Sequence, residues 1–242
     1  MPKKKDAGKK VKSSAERKTK SAKPAKKAAA KPKKAKAAKG KKAAGKKQAA
    51  FPAEVTVETA QVLSSECVFE GPLFRVVRDR LIEPGAKEGV RDVIRHNGSV
   101  VILAMDNAGK NKRDPWIVME RQYRHAAVRF LWELPAGKIE VGEDPLEGAK
   151  RELEEETGYR AKKWKPMVEY YASPGFLGEA FKVYVAEGLM AGDAHPEDDE
   201  QIEIRLVRLS ELLKAIGKGA IMDGKTLACV LMFAWRSKRK GK

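Results

Sequence analysis

The sequence predicts an α/β domain, a mixed set of strands with helices packed on them, preceded by a basic tail that is disordered in isolation. Three observations lead there. From about residue 51 onward, β-rich or alternating runs recur, each closed by Gly, Pro, Asn or Asp. A segment with helical apolar spacing lies between Pro145 and Gly158, and an amphipathic stretch from Asp223 to Ser237 closes the chain. Composition changes sharply near residue 50, which sets the expected division into a tail, 1–50, and a folded domain, 51–242.

The tail holds 21 of the 51 Lys/Arg residues but, of the 33 acidic ones, only Asp6 and Glu16. It therefore carries +19, and the remainder of the chain is nearly neutral at −1. Apart from Val11 and Thr19 the tail has no aromatic or β-branched residue, so it cannot bury enough apolar surface to offset its ordering entropy. It has no apolar h-region, which excludes a secretory signal, and it is too poor in arginine for a typical transit peptide. Its lysine-alanine run resembles the tails of linker histones and of some bacterial nucleoid proteins. Non-specific binding to nucleic acid or another polyanion is one expectation, with steep salt dependence; a solubilising extension without a partner is the other.

VLSSECVFEG and FRVVRDRLIEPG read as two strands, the second ended by Pro84-Gly85. Val90–His96 and Ser99–Asp106 follow, separated by Asn97-Gly98, a favoured hairpin dipeptide. A polar loop precedes the strand Pro115–Arg124, and Leu131–Leu134 leads through Pro135-Ala136 into the helical segment. Beyond it, Met167–Ala172, Ala180–Gly188 and the alternating Ile202–Leu209 read as strands. Ser210 is placed to cap a short helix, with Glu211 in its first turn. The closing helix should bury Leu227, Val230, Leu231 and Trp235.

The central helix carries the chemistry. Pro145 suits its first turn and Gly158 its left-handed C′ position. Leu146, Ala149 and Leu153 form the apolar stripe, and Glu152, Glu155 and Glu156 meet on the neighbouring face at i, i+3 and i+4. Like charges so placed need neutralising; Arg151 offsets one of them, and the rest form the oxygen-rich site that hard cations prefer. KRELEEETG alone could be a solvated helix face. The full spacing is more specific: Gly137, five residues, Glu143, seven residues, Arg151-Glu152-Leu153, one residue, Glu155-Glu156, one residue, Gly158-Tyr159.

That spacing resembles the Nudix box, G-x5-E-x7-R-E-U-x-E-E-x-G-U with U apolar, and every specified position is filled. The resemblance implies an α-β-α sandwich around a mixed sheet, and hydrolysis of a pyrophosphate bond with Mg²⁺ (Mn²⁺ as a substitute). By that match Glu152 and Glu156 are direct metal ligands, joined by the Ala136 carbonyl just ahead of Gly137, with Glu155 at the metal edge. Arg151 would orient a glutamate, and Glu143 is a distant ligand, a supporting group or a salt-bridge partner.

Residues outside the box resemble the ADP-ribose pyrophosphatase branch of the family. Pro174 stands sixteen positions after Gly158 within YYASPGFLGE, accompanied by Glu179, and RQYR precedes ELPAG. This match runs from about Val68 to the C-terminus. It implies that Arg124 clamps a substrate phosphate or ribose, that Glu133 hydrogen-bonds the adenine side, and, on a looser alignment, that Arg95 also contacts substrate. The catalytic base is expected in PEDDEQIEI, at Glu200, with Asp198 and Asp199 as competitors and an ordinary acidic loop as the alternative. Products would be AMP and ribose 5-phosphate. The resemblance also implies a homodimer exchanging N-terminal strands, in which residues 55–95 complete the partner's adenosine pocket. Other sugar nucleotides or dinucleoside polyphosphates are alternative substrates, and a nucleic-acid-associated ADP-ribose sensor is the alternative outside enzymes.

Cys67 and Cys229 lack metal-ligand spacing and are expected as buried free thiols of a reducing compartment. His96, His125 and His195 show no ligand spacing and are expected to be structural or surface residues. No run approaches the ~20 apolar residues of a membrane span, so the expectation is a cytoplasmic protein without membrane partners.

Overall fold

The strand Ser99–Asp106 is buried along almost its whole length, with Val100, Val101, Ile102, Leu103 and Ala104 fully enclosed. A strand apolar on both faces needs a layer on each side, and the computed structural model supplies them. It describes residues 58–106, 114–195 and 201–239. The strands are β1 (Gln61–Glu70), β2 (Arg75–Glu83), β3 (Lys87–Arg95), β4 (Ser99–Asp106), β5 (Trp116–Arg124), β6 (Arg129–Glu133), β7 (Ala136–Lys138), β8 (Tyr159–Tyr171), β9 (Ala180–Ala191) and β10 (Glu203–Arg208). The helices are α1 (Pro145–Thr157), α2 (Leu209–Gly217) and α3 (Gly224–Arg239).

The main sheet runs β10-β5-β4-β9-β8, with β6 on β5 and β7 on β4. Only the β4–β9 pairing within it is parallel, so the sheet is mixed, as expected. Against one face Ala149 and Leu153 of α1 pack on Val100, Ile102, Ala104 and Val118. On the other, Leu209 and Leu212 of α2 and Cys229 and Val230 of α3 cover Val101, Leu103, Met105, Ile117 and Met119. Fully burying one such aliphatic side chain contributes about 1.5–3 kcal/mol. The result is a helix–sheet–helix sandwich. Among the described residues no helix is long and apolar enough to cross a membrane.

Several local expectations change. Asn97-Gly98 does not close a hairpin: β3 pairs with β2 in a separate antiparallel sheet, β1-β2-β3, while β4 joins the main sheet. A type I′ turn needs positive φ at both central residues, and of these two only Gly98 has it, at 93°. The pair instead carries the chain from one sheet to the other. Ser210 lies inside α2 rather than at its N-cap; Asp114 supplies the cap, accepting from Ser210 N at 2.8 Å and from its hydroxyl at 3.0 Å. Leu231 and Trp235 lie on the exposed side of α3, and the buried stripe runs through Thr226, Cys229, Val230 and Ala234. Cys67 is exposed on β1, whereas Cys229 is buried, with its thiol pushed up to about 12 chiefly by burial. β8 and β9 extend well beyond the predicted runs, with a bulge at Pro166–Val168.

Candidate active site

The site begins with how α1 is started and stopped. Asp144 caps it, its carboxylate accepting from Leu146 N at 2.9 Å and Glu147 N at 3.3 Å, and Pro145 opens the first turn. Gly158 ends it at φ 69°, where a Cβ would stand 2.5 Å from the Gly192 carbonyl oxygen. A side chain is therefore excluded there both by conformation and by the segment packed over it. His195 N continues that packing by donating to the Glu155 carbonyl at 2.8 Å. The proposed base Glu200, with Asp198 and Asp199, lies outside the described residues.

Gly137 provides the close approach. A Cβ on it would fall 1.9 Å from Cδ of Glu152, so that carboxylate lies directly against the backbone of β7. Ala136 N donates to Glu156 Oε2 at 3.1 Å, which ties the second glutamate to the same strand. Arg151 bridges the rim: it donates to Glu143 at 2.9 and 3.1 Å, to Glu152 and Glu155 at 2.9 Å each, and to the Lys138 carbonyl at 3.1 Å. Its pKa is raised, first by the Glu143 hydrogen bonds, and Glu143 is held below the usual carboxylate range by the same contact. Glu143 also accepts from Glu140 N at 2.9 Å, so it is a structural partner of Arg151 and of the loop.

These carboxylates line a cavity of about 480 Å³. Glu152, Glu155 and Glu156 form one wall with Ala136, Gly137 and Lys138. Leu73, Phe74, Ile94, Leu177 and Phe181 give an apolar wall, and Arg124 and Lys225 bring positive charge. His96 and Ser99 also face it; Ser99 donates to Glu179 Oε1 at 2.6 Å. Among the described residues no three His, Cys, Asp or Glu side chains are already gathered round one point, and the Arg151 guanidinium donates to both Glu152 and Glu155. The donor set nevertheless fits a hard divalent cation: three carboxylates one turn apart plus a backbone carbonyl, all oxygen. Such an ion would take over oxygens that Arg151 now bridges.

Beneath this wall lies a buried charge cluster that the sequence did not reveal. Glu133, 1% exposed, accepts from Arg124 Nε at 3.0 Å and Nη2 at 2.8 Å, and also from Lys225 Nζ. Burial alone would raise its pKa, but the bonds from Arg124 and the charge of Lys225 outweigh it and leave Glu133 below the ordinary range. Glu133 does not line the cavity itself; from its buried position it holds two cations that do. Among the described residues Glu120, fully buried on β5, meets no hydrogen-bond donor on either oxygen; Glu156 lies beside it, and burial pushes the Glu120 carboxyl up to about 8. The available signal was a charged residue on the same strand face as buried Val118.

Two other expected site residues stand apart from the cavity. Arg95 pairs with Asp79 at 2.6 Å and faces a neighbouring groove. Pro174 is exposed in the β8–β9 connection; its neighbours Leu177 and Glu179 reach the cavity instead.

Comparison with known proteins gives the following. Residues 95–228 match the NUDIX domain model. The chain is 36% identical over 168 residues to an ADP-ribose pyrophosphatase of Bacillus subtilis (strain 168), covering 69% of this chain and 88% of that protein. It is 37% identical over 175 residues to an ADP-ribose pyrophosphatase of Mycobacterium tuberculosis (strain ATCC 25618 / H37Rv), covering 71% and 81%. A crystal structure of an ADP compounds hydrolase superposes with a TM-score of 0.63 at 17% identity, over 78% of this chain and 99% of that one, which is a likeness of fold.

Proposed function

The chain belongs to the Nudix family, and on that premise we propose that it hydrolyses the pyrophosphate bond of ADP-ribose, yielding AMP and ribose 5-phosphate, with Mg²⁺ as the metal. The observation that carries this reading is the lining of the cavity. Carboxylates from α1, two cations and several apolar side chains line the same cavity, which suits a ligand with a diphosphate in the middle and an aromatic base at one end. The resemblance of the relatives named above to this chain points to ADP-ribose within that class.

Glu152 and Glu156, with the Ala136 carbonyl, are proposed as the metal ligands and Glu155 as the edge ligand. A divalent cation bound there would offset charge on the phosphoryl oxygens and make a water easier to deprotonate. Gly137 lets the Glu152 carboxylate sit against the strand, and Ala136 N–H aims Glu156, so both are set before substrate arrives. Arg124, its guanidinium oriented by Glu133, presents its remaining edge to the substrate. Glu200, or Asp198 or Asp199, takes the proton from the attacking water as its oxygen bonds to phosphorus and the anhydride P–O bond breaks. Arg95 contacts substrate only if the groove it faces is part of the binding surface.

The dimer expected from the family is supported by β1, which is exposed along its whole length and carries Val62, Leu63 and Phe69 outward. In that assembly residues 55–95 would complete the partner's pocket. The free cysteines fit a reducing, cytoplasmic setting. Residues 1–50, which lie outside the described residues, are proposed as a separate basic tail before the domain 51–242 and would hold a polyanion. DNA binding at low salt that persists undiminished without them rules this out.

A substrate panel with Mg²⁺ tests the main reading, with product analysis in ¹⁸O-labelled water to identify the phosphorus attacked. ADP-ribose should be turned over well ahead of sugar nucleotides and dinucleoside polyphosphates. Equal turnover of GDP-mannose would widen the substrate class, and absence of any turnover would favour a ligand sensor.

A further inference from the structure

We propose that Lys225, delivered by the first turn of α3, is a second substrate-binding cation that grips the diphosphate beside Arg124; this rests on the nucleoside-diphosphate reading above. Its side chain is only 9% exposed, yet it lines the same cavity as the α1 carboxylates. The ammonium donates to Glu133 and forms an ion pair with Asp223 Oδ1 at 3.2 Å. An ammonium has three donors, so two carboxylate partners leave one for a ligand.

Glu133 already receives the fork of Arg124, whose Nε and Nη2 reach both its oxygens. Lys225 adds a second cation to that carboxylate and its charge also acts on the buried Glu120. Pairing within the cluster does not by itself account for its place in the cavity lining, where an anion would meet it. Arg124 and Lys225 then share Glu133 as a common anchor, much as two jaws share a hinge, and both open toward the same space.

The lysine is also held in place. Asp223 accepts from Thr226 N at 2.9 Å and from its hydroxyl at 2.7 Å, which fixes the first turn of α3. The Thr226 hydroxyl, fully buried, accepts from Leu134 N at 2.8 Å. Thr226 therefore ties α3 to the segment that runs from Glu133 into Ala136. Asp223, Lys225 and Thr226 act as one unit that sets a cation over the cavity and steadies the backbone aiming Glu156. Nothing in the Nudix box specifies this turn, which lies in a different part of the chain.

The test is calorimetric titration of the full chain, in chelator, with ADP-ribose, inorganic diphosphate and adenosine. Wild type, Lys225→Met and Lys225→Arg are compared. Losing a charge-assisted hydrogen bond should weaken ADP-ribose and diphosphate by about tenfold or more in Lys225→Met, with adenosine unaffected and Lys225→Arg within about threefold of wild type. With Mg²⁺ present, KM for ADP-ribose should rise more than kcat falls. If Lys225→Met does not fold, Lys225→Gln, which keeps a donor for Glu133 without the charge, is held to the same criterion. Unchanged diphosphate binding, or an equal loss for adenosine, overturns the proposal, as does a wild type that binds neither phosphate ligand. A wild type that binds diphosphate through Lys225 but not ADP-ribose would retain this inference and reject the substrate.

Discussion

Two clusters of the same chemistry flank one cavity in opposite surroundings. At the rim, Arg151 holds Glu143, Glu152 and Glu155, with the Glu155 side chain 44% exposed. Beneath the floor, Arg124 and Lys225 hold Glu133, which is 1% exposed, beside Glu120, which is fully enclosed. Water reaches the rim chiefly at Glu155, so Arg151 can exchange that partner at small cost. The other cluster is driest at Glu133, Glu120 and Lys225, where each charge depends on its neighbour, while the Arg124 side chain reaches solvent. The family's chemistry is proposed for the surroundings that can rearrange, and the orientation of the site is set in the surroundings that cannot.

The sharpest way to break this contrast is to remove Glu133. Glu133→Ala removes the carboxylate shared by Arg124 and Lys225 and should cost about 3–5 kcal/mol in urea unfolding at pH 7; a loss below about 1 kcal/mol would mean the cluster is wetter than its burial indicates. Gly137→Ala should act the other way, on activity. The new Cβ meets the flexible end of Glu152, 1.9 Å away, so stability should stay within about 1 kcal/mol while turnover falls about a hundredfold. Equal damage to both would show the backbone, not the carboxylate, giving way.

Glu120→Gln sharpens the comparison through pH. The folded-state pKa of Glu120, about 8, lies above its unfolded value of 4.5. The folded protein therefore keeps a proton that the unfolded chain releases, and stability on this account declines as pH rises through that interval. Glutamine cannot ionise, so in chelator its gain in Tm should be near zero at pH 4.5 and grow toward pH 8. A gain independent of pH would assign the effect to packing. The smallest change is expected at the rim: Glu143→Ala should cost under about 1 kcal/mol and less still in high salt, measured by thermal melts at two ionic strengths.

Legibility in the sequence divides along the same line. Pro145 and Gly158 act within a few residues of the helix they bound, and the spacing of Glu152, Glu155 and Glu156 follows from 3.6 residues per turn. Both could be read without knowing what lay nearby. The inference failed where a partner came from elsewhere. Ser210 yields its capping role to Asp114. Asn97-Gly98 connects two sheets because β9, not β3, lies beside β4. Trp235 faces outward because the sheet meets α3 along Cys229 and Val230.

By itself the chain determined the basic tail's composition, the mixed order of strands and helices, and one carboxylate-bearing helix with its start and stop, since each is a matter of local stereochemistry or charge count. Tertiary structure alone decided that β5, β6 and α3 converge, that Glu133 serves two cations, and that Lys225 reaches the cavity. These depend on burial, and burial is a property of which distant segments pack together. A lysine near a helix start and a glutamate in a strand are ordinary in a sequence. They acquire meaning when the fold removes the water between them.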